Sequence, residues 1–578
     1  MGSWRIQTGH RGPSLFFFLS SLVRQIAFLI WKTMIAQQPI PVYESLSEVF
    51  GSLEVSLPHA TRWNNLAEEF EKRFGRKPAY IARAPGRVNL IGEHIDYALF
   101  GVLPAAIERD ILIACGPRSL PETDAHKTST AGSVVAENLN SKYTRQVFAP
   151  AAKKPEEVSE AQAHAEAWHL DINTKELRWE SYVKAGYYGV LNHHFSGGSE
   201  LPVPVDLLVT GSVPAGSGLS SSAAMVVAST LSFLAVNGKL GSGSEVEVGR
   251  PANLNKGGLV QLAVLNEKRV GVNSGGMDQA ASVMSDPSSA LYISFYPTLS
   301  ASGVPLPTHA VFVCANSLVV SDKALSAKRG YNLRVVETLV AARILANSLG
   351  VKIGETDRVT LREVASKYAQ EKDGDDMGPE ALEQTLKKLE DKLDVLKPKI
   401  SSDSGQLGVT MDKMIEMSGL SKEAFYQVYL SWVDIEATNF QLYKRVKHVF
   451  SEARRVLLFR RTCLEAAGSS DSNDSVYLQN LGSLMNDSQD SCSNLYECSC
   501  PELDQLTRIA RDAGALGSRL TGAGWGGCTV SLVREGEVEK FIQKVKEAYT
   551  PYKGLEGDAL NEVIFATKPS RGACVLKL

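Results

Sequence analysis

The sequence carries no excess of charge of one sign and contains little cysteine. Its 578 residues include 61 basic and 64 acidic ones, which gives a formal net charge of -3. Such a balance provides no electrostatic footprint for nucleic acid or for an anionic membrane surface. The eight cysteines include no C-x-x-C pair, so neither a zinc site nor a disulfide scaffold is indicated. These absences favour a cytoplasmic protein with reduced thiols that acts on small molecules.

Motifs of the common nucleotide-binding classes are also missing. The chain contains no G-x-x-x-x-G-K-[ST] loop and no H-R-D or D-F-G run, which excludes P-loop enzymes and protein kinases. A G-x-G-x-x-G run does occur at residues 522–527. A helical pattern precedes it and a strand-like pattern follows it, which is the reverse of the order that a dinucleotide-binding fold requires.

The N-terminus has an apolar stretch that is interrupted by charge. Residues 15–23 and 26–31 are apolar, but Arg24 and Gln25 separate them. A cation near the middle of such a run is costly in hydrocarbon, and no small-residue cleavage site follows. A secretory signal or membrane anchor is the alternative interpretation. We expect residues 1–33 to be an extension that the folded protein does not need.

A short segment bounded by glycine and proline concentrates hydrogen-bonding side chains, and its composition predicts a turn-rich stretch after a strand at residues 79–83. Its donors and acceptors are Arg87, Asn89, Glu93, His94, Asp96 and Tyr97. Such a set satisfies the hydroxyls of a sugar, because each buried hydroxyl needs a partner. A solvated turn is the alternative interpretation of the same residues.

A second segment is rich in glycine and serine and lies between a strand and a helix. Apolar β-branched residues at 205–209 precede it, and residues 223–236 have helical character. Gly216 and Gly218 allow the backbone to approach an anion closely, and the serines that follow add hydroxyls at the start of the helix. This order predicts a phosphate-binding loop.

These segments carry a resemblance to a known family. The run R-x-N-L-I-G-E-H-x-D-Y at residues 87–97 resembles the sugar-recognition signature of galactokinases, members of the GHMP small-molecule kinase family. Residues 211–224 resemble the family's phosphate loop, and residues 517–528 resemble its third motif, in family order. The residues at 95 and at 488–489, which depart from the common family pattern, look like those of the fungal branch of the galactokinases.

The resemblance implies a fold and a division of the chain. The implied fold is α+β, with mixed β-sheets and helices in two domains and the active site in the cleft between them. Residues 34–300 would form the N-terminal domain, with the sugar signature and the phosphate loop. Residues 301–578 would form the C-terminal domain, with a charged helical insertion near residues 370–406.

The resemblance also implies a reaction, in which ATP phosphorylates the C1 hydroxyl of α-D-galactose to give galactose 1-phosphate. Asp278 matches the general base, and Arg87 would hold it ionised and offset charge on the transferring group. Ser222 and Glu267 match the positions expected to hold Mg²⁺.

The implied sugar-binding residues are Arg87, Glu93, His94, Asp96, Gly275, Asp278 and Tyr331. The implied ATP-binding residues are Pro214, Gly216, Ser217, Gly218, Leu219, Ser220, Ser221, Ser222 and Ala223. Asn89 is equally consistent with stabilising a turn.

The charged segment near residues 370–406 contains leucines at heptad-like spacing behind Pro379. These leucines are Leu382, Leu386, Leu389, Leu393 and Leu396. The spacing predicts an amphipathic helix. Two heptads are too few for a coiled coil, so we expect the helix to pack on its own domain.

Two departures from the family pattern leave the acceptor open. Ile95 stands where many galactokinases have threonine, and Ser488-Gln489 stands where a Ser-His pair is common. Ile95 also looks like the N-acetylgalactosamine kinase branch, which is the alternative enzyme. Fungal relatives further include galactose sensors that act as transcriptional inducers by binding a repressor. Those sensors typically lack a Ser-Ala pair in the phosphate loop, so the intact pair at Ser222 and Ala223 favours catalysis. A repressor partner in addition to catalysis stays open.

Overall fold

A computed structural model of the chain describes residues 35–578 apart from 120–130, 153–166, 175, 177, 198–199, 242–253, 272, 321–326, 373–375, 399–407 and 470–473. The expectations for residues 1–33 lie outside the described residues. Across the part that is described, no helix combines the length and the apolar character that a membrane span requires.

The strands fall into one large sheet, one smaller sheet and several short pairs. They are β1 (Val42–Tyr43), β2 (Tyr80–Ile91), β3 (Leu103–Pro117), β4 (Val134–Asn138), β5 (Gln146–Phe148), β6 (Ala151–Ala152), β7 (Trp168–His169), β8 (Val205–Gly211), β9 (Ala290–Ser294), β10 (Ser300–Val304), β11 (Ala310–Asn316), β12 (Val409–Thr410), β13 (Asn439–Phe440), β14 (Gly517–Thr521), β15 (Cys528–Arg534), β16 (Ile564–Thr567) and β17 (Cys574–Lys577).

The helices cover the sheets and form a helical layer in the second half of the chain. They are α1 (Leu46–Phe50), α2 (Leu53–Phe74), α3 (Trp179–His194), α4 (Ser221–Val236), α5 (Lys256–Glu267), α6 (Met277–Met284), α7 (Tyr331–Ser348), α8 (Leu361–Tyr368), α9 (Pro379–Glu390), α10 (Met411–Ser418), α11 (Lys422–Phe425), α12 (Leu442–Gly468), α13 (Asp474–Ser491), α14 (Pro501–Ala513), α15 (Val538–Ala548) and α16 (Gly557–Val563).

The large sheet has seven strands in the order β1-β17-β2-β3-β8-β4-β5. The first part of the sugar-recognition signature lies on β2, which is an inner strand of this sheet. Helix α4 packs on β2 and β3 from one side. Helix α2 covers the other side, where Trp63, Leu66 and Phe70 join the buried face of the sheet. Burial of both faces explains why the central strands are apolar almost throughout. The sheet therefore holds the signature in a rigid position.

The smaller sheet has the order β14-β15-β11-β16, and the end of the chain leaves it to return to the large sheet. Strand β17 pairs antiparallel with β2, between β2 and β1. The expected division between residues 300 and 301 lies within β10, which pairs with β9. That division stays a prediction.

The structure confirms two predicted elements and corrects one. Strand β8 and helix α4 lie where their patterns place them. The signature is not turn-rich in its first half, because β2 extends to Ile91. Register shifts against β3 between Pro85 and Arg87, and again between Asn89 and Ile91, let a strand pass through proline and glycine.

Strands β4, β5 and β6 lie in the polar region between residues 121 and 166. Strand β4 pairs with the buried strand β8, which supplies backbone partners that no local pattern reveals. The remaining residues of that region, at 120–130 and 153–166, are outside the described part.

The heptad leucines lie on α9 and on the short 3₁₀ turn that follows it, and all of them are buried. Helix α9 packs against α12 of the same chain. The helix therefore packs on its own chain, and its assignment to a domain stays a prediction. The helical pattern itself stops earlier than the leucine spacing suggests, at Glu390.

We predict that Leu386→Ala destabilises the fold by about 2–5 kcal/mol, because the leucine side chain is fully buried and its removal leaves a cavity. Chemical denaturation of the purified protein measures the change. Val395→Ala is the control, since Val395 is exposed in the same segment. Equal stability of the two variants would contradict the buried position of α9.

Candidate active site

A buried arginine joins the signature to the phosphate loop. Arg87 on β2 pairs with Asp278 in the first turn of α6, with Nη2 at 2.7 Å and Nε at 2.9 Å from Oδ1. Its Nη1 donates to the carbonyl of Gly218 at 2.5 Å. Arg87 is 1% exposed and Asp278 is 7% exposed. A strand, a helix start and a glycine-rich loop therefore meet at one guanidinium group.

Asp96 lies beside this pair. Its Oδ2 accepts a hydrogen bond from the backbone N–H of Met277 at 3.3 Å. Gly275 is so close that a Cβ there would lie 2.5 Å from the same oxygen. Burial, together with the nearby charge of Asp278, raises the pKa of Asp96 to about 6. Four of the predicted sugar-binding residues, Arg87, Asp96, Gly275 and Asp278, thus lie close together.

Glu93 is held by a set of protein donors. Its Oε2 accepts from Asn89 Nδ2 at 3.2 Å, from Arg519 Nη2 at 3.1 Å and from the backbone N–H of Gly522 at 3.1 Å. Burial raises the pKa of Glu93, although Arg519 opposes this. The hydrogen bond from Asn89 to Glu93 fits the turn-stabilising role that the sequence left open for Asn89. Arg519 is a site residue that the sequence reasoning missed.

His94 lies in a cluster of aromatic rings. Its Nε2 donates to the Ala523 carbonyl at 2.9 Å, so Nδ1 accepts from the Tyr97 hydroxyl at 3.0 Å. Both ring nitrogens thus have protein partners. The Tyr331 ring lies 5.4 Å from the imidazole, and the rings of Tyr496 and Trp525 lie at 4.9 and 5.6 Å. Trp525 lies within the third motif, whereas Tyr496 lies outside all three motifs.

The phosphate loop lines a cleft of about 1030 Å³. Six of the nine predicted ATP-binding residues line it, namely Pro214, Gly216, Gly218, Ser220, Ser221 and Ser222. The others support the loop. The Ser217 hydroxyl donates to the Pro214 carbonyl at 2.7 Å, the Leu219 carbonyl accepts from the Arg87 N–H at 3.1 Å, and Ala223 is buried.

The cleft wall includes residues that the sequence reasoning did not single out. Trp179 and Tyr182 from α3, Lys142 and Tyr143 after β4, and Arg109 from β3 line it. Aromatic and cationic side chains of this kind suit a planar base and an anionic phosphate chain. Their segments lie far apart in the chain, so no local pattern could group them.

The third motif packs directly on the phosphate loop. The N–H of Cys528 donates to the carbonyl of Ser217 at 2.8 Å. Gly522 has φ +87°, and a Cβ at this residue would lie 2.3 Å from the Gly218 carbonyl oxygen. The segment at residues 521–528 is therefore the support on which the loop rests.

The two residues expected to hold a cation differ in position. Ser222 lines the cleft, whereas Glu267 at the end of α5 is buried and accepts from Gln279 Nε2 at 2.5 Å. Glu267 is not one of the cleft-lining residues. Within the described ranges, no group of three or more His, Cys, Asp and Glu side chains is arranged to hold a metal ion.

Three family models match the segments that form this site. A galactokinase galactose-binding signature matches residues 68–117, a GHMP kinase N-terminal domain matches residues 181–286, and a GHMP kinase C-terminal model matches residues 477–550. The chain is therefore a GHMP kinase.

Relatives over almost the full length narrow this class. Galactokinase from Dictyostelium discoideum is 35% identical over 551 residues, which cover 93% of this chain and 97% of that protein. Galactokinase from Saccharomyces cerevisiae is 35% identical over 556 residues, covering 91% and 96%. The chain belongs to the galactokinase family, and the resemblance inferred from the motifs is confirmed.

A solved structure shows the same fold. The crystal structure of Lactococcus lactis galactokinase complexed with galactose aligns with a TM-score of 0.57 and 23% identity, covering 89% of this chain and all of that one. The expected GHMP fold, with mixed sheets and many helices, is thereby confirmed.

We predict that Gly522→Ala weakens ATP binding by about tenfold or more, because its Cβ would displace the Gly218 carbonyl and shift the phosphate loop. Isothermal titration calorimetry with ATP measures the loss of affinity. Gly514→Ala is the matched control, since Gly514 has φ +114° but a Cβ there meets nothing within 4 Å. Equal loss in both variants would show that backbone strain alone, and not the contact with the loop, is responsible.

Proposed function

We propose that this protein transfers the γ-phosphoryl group of ATP to the C1 hydroxyl of α-D-galactose, giving galactose 1-phosphate and ADP. Membership of the galactokinase family makes it a sugar kinase, a phosphotransferase that acts on an alcohol group, with ATP as the co-substrate. The observation that supports the assigned residues most strongly is the Arg87–Asp278 pair, which the Gly218 carbonyl ties to the phosphate loop.

Asp278 is the proton acceptor in this proposal. Its carboxylate takes the proton from the C1 hydroxyl while the hydroxyl oxygen attacks the terminal phosphorus of ATP. Arg87 stabilises the ionised carboxylate and the charge on the transferring group. Phosphoryl transfer passes through a loose transition state, so holding the two substrates in line contributes more than proton removal does.

The sugar is bound by the signature and its neighbours. Asp96 and Glu93 accept hydrogen bonds from sugar hydroxyls, and Gly275, which has no Cβ, lets its backbone lie directly against Asp96. Tyr331 and the ring of His94 provide an apolar wall with hydroxyl groups at its edge. A site with several committed polar partners rejects a sugar whose hydroxyl has the opposite configuration.

Ser222, which lines the cleft, would offer Mg²⁺ a hydroxyl, and Glu267, which is buried outside the cleft lining, would offer a carboxylate. Both are oxygen donors, as Mg²⁺ prefers, and this cation commonly keeps only one or two protein ligands beside substrate phosphates and waters. When bound, it would neutralise charge on the phosphates. Gln279 orients the Glu267 carboxylate through its amide.

We place the enzyme in the cytoplasm, a compartment that suits its cysteines. All eight are free, and seven of them are buried. A repressor-binding role is not part of the proposal, since the intact serine-rich loop and the family relationship favour turnover.

We predict that Asp278→Ala lowers kcat for galactose by about 10²–10⁴-fold, because the base is lost and Arg87 is left without its carboxylate partner. Release of ADP is measured with galactose, N-acetylgalactosamine and glucose as acceptors. Asp286→Ala is the control, since Asp286 is an exposed carboxylate shortly after α6. Lack of galactose-dependent ADP from the wild type would refute the proposal, and turnover of N-acetylgalactosamine alone would reassign the acceptor.

We predict that the KM for galactose rises about fourfold between about pH 7.5 and about pH 5.5, because Asp96, with a pKa raised to about 6, loses its charge in this range. A raised pKa means that the carboxyl group binds its proton at higher pH, so the ionised acceptor disappears as the pH falls. Steady-state kinetics across this range measure the effect. Asp96→Asn should bind galactose more weakly and show no such rise.

A further inference from the structure

One face of helix α12 contacts the sugar signature, although α12 lies in none of the three motifs. His448, Glu452 and Val456 are spaced four residues apart, so their side chains share one face of the helix. All of them are buried, and all contact the turn at Gly92 and Glu93. This turn connects β2 to the residues that follow it in the signature.

Glu452 binds the N–H groups of that turn. Its Oε1 accepts from the N–H of Gly92 at 2.9 Å and of Glu93 at 3.2 Å, and from the Ser488 hydroxyl at 2.7 Å. Its Oε2 accepts from Arg455 Nε at 2.7 Å. Burial disfavours the ionised form of the Glu452 carboxyl group, but the positive charges of Arg455 and Arg519 outweigh this effect and lower the pKa of Glu452. The group is therefore an ionised acceptor with several donors around it.

His448 binds the carbonyl side of the same turn. Its Nε2 donates to the Glu93 carbonyl at 3.0 Å, so Nδ1 accepts from the Ser491 hydroxyl at 2.9 Å. Burial lowers the pKa of His448 to about 4, so the ring is neutral at physiological pH. The backbone of Glu93 thus has both its N–H and its C=O bound by side chains of one helix.

The helix also contacts the turn closely. Gly92 has φ +107°, and a Cβ there would lie 3.0 Å from Val456 Cγ2. The turn therefore rests directly on α12 and has little room to move. Glu93 belongs to this turn, and His94 and Asp96 follow it within three residues. The orientation of their side chains therefore depends on the position of the turn backbone.

We propose that Glu452, assisted by His448, is a positioning residue for the acceptor sugar: it fixes the Gly92–Glu93 backbone and thereby the orientation of the sugar-binding side chains. This inference rests on the proposed function. The hydrogen bonds of Glu452 join it to the signature turn, to Ser488 and to Arg455, all of which lie outside the phosphate loop. A change at Glu452 should therefore affect the sugar far more than the nucleotide.

The experiment compares Glu452→Gln with a matched variant on the other side of α12. The amide keeps the volume but puts a donor where the carboxylate meets only donors. We expect the KM for galactose to rise about tenfold or more, with the KM for ATP within about twofold of the wild type. Glu390→Gln is the control, because Glu390 binds Lys447 and Arg454 of α12 and no residue of the signature.

A milder variant guards against misfolding. Ser488→Ala removes one donor to Glu452 Oε1 and should raise the KM for galactose by about two- to fivefold, with ATP again unaffected. Thermal unfolding of each variant is measured in parallel. If the KM for both substrates changes together, or if Glu390→Gln has the same effect as Glu452→Gln, the role is structural and the inference is wrong. An unchanged KM for galactose in both Glu452→Gln and Ser488→Ala also overturns it.

The outcome is separable from that of the proposed function. A wild type that binds galactose without turnover refutes the proposed reaction, and galactose affinity measured by calorimetry then replaces KM in the same comparison. A wild type that turns galactose over, with variants of unchanged KM, refutes only the positioning role. A wild type that does not bind galactose refutes both.

Discussion

The buried guanidinium group of Arg87 is the constraint on which the site depends. A charge that is 1% exposed must be paired and hydrogen-bonded, because leaving it unpaired costs several kcal/mol or more. Its partners come from α6 and from the phosphate loop, which lie 191 and 131 residues further along the chain. The fold must therefore bring β2, the start of α6 and the loop together, and in doing so it places the proposed base beside the proposed phosphate site.

A second buried charge fixes the other side of the signature. Arg519 on β14 binds Glu93 and the carbonyl of Asn89, so the smaller sheet is joined to the large one through the sugar signature itself. The third motif then continues from β14 over the phosphate loop. Helix α12 binds the backbone of the signature turn through Glu452 and His448. The acceptor side and the nucleotide side of the site are thus two surfaces of one hydrogen-bonded assembly.

The sequence predicted the elements whose signals are local. The strand–loop–helix order around Gly218 and the buried leucines of α9 follow from periodicity, glycine spacing and burial of one face. Local patterns failed where tertiary pairing decided the conformation. Strand β2 passes through Pro85 because β3 and β17 pair with it, and β4 forms because β8 offers a partner.

The sequence by itself determined the family, the type of reaction and the order of the three motifs, since those depend on residue types at short, fixed spacings. It could not show that Arg519 binds Glu93 from 426 residues away, that Glu452 holds the backbone of the same turn from 359 residues away, or that aromatic rings surround His94. Such contacts join segments with no local relationship. Only the packed structure decided which polar side chains of the proposed site hold one another in place, because burial and hydrogen-bond partners exist only once the chain has folded.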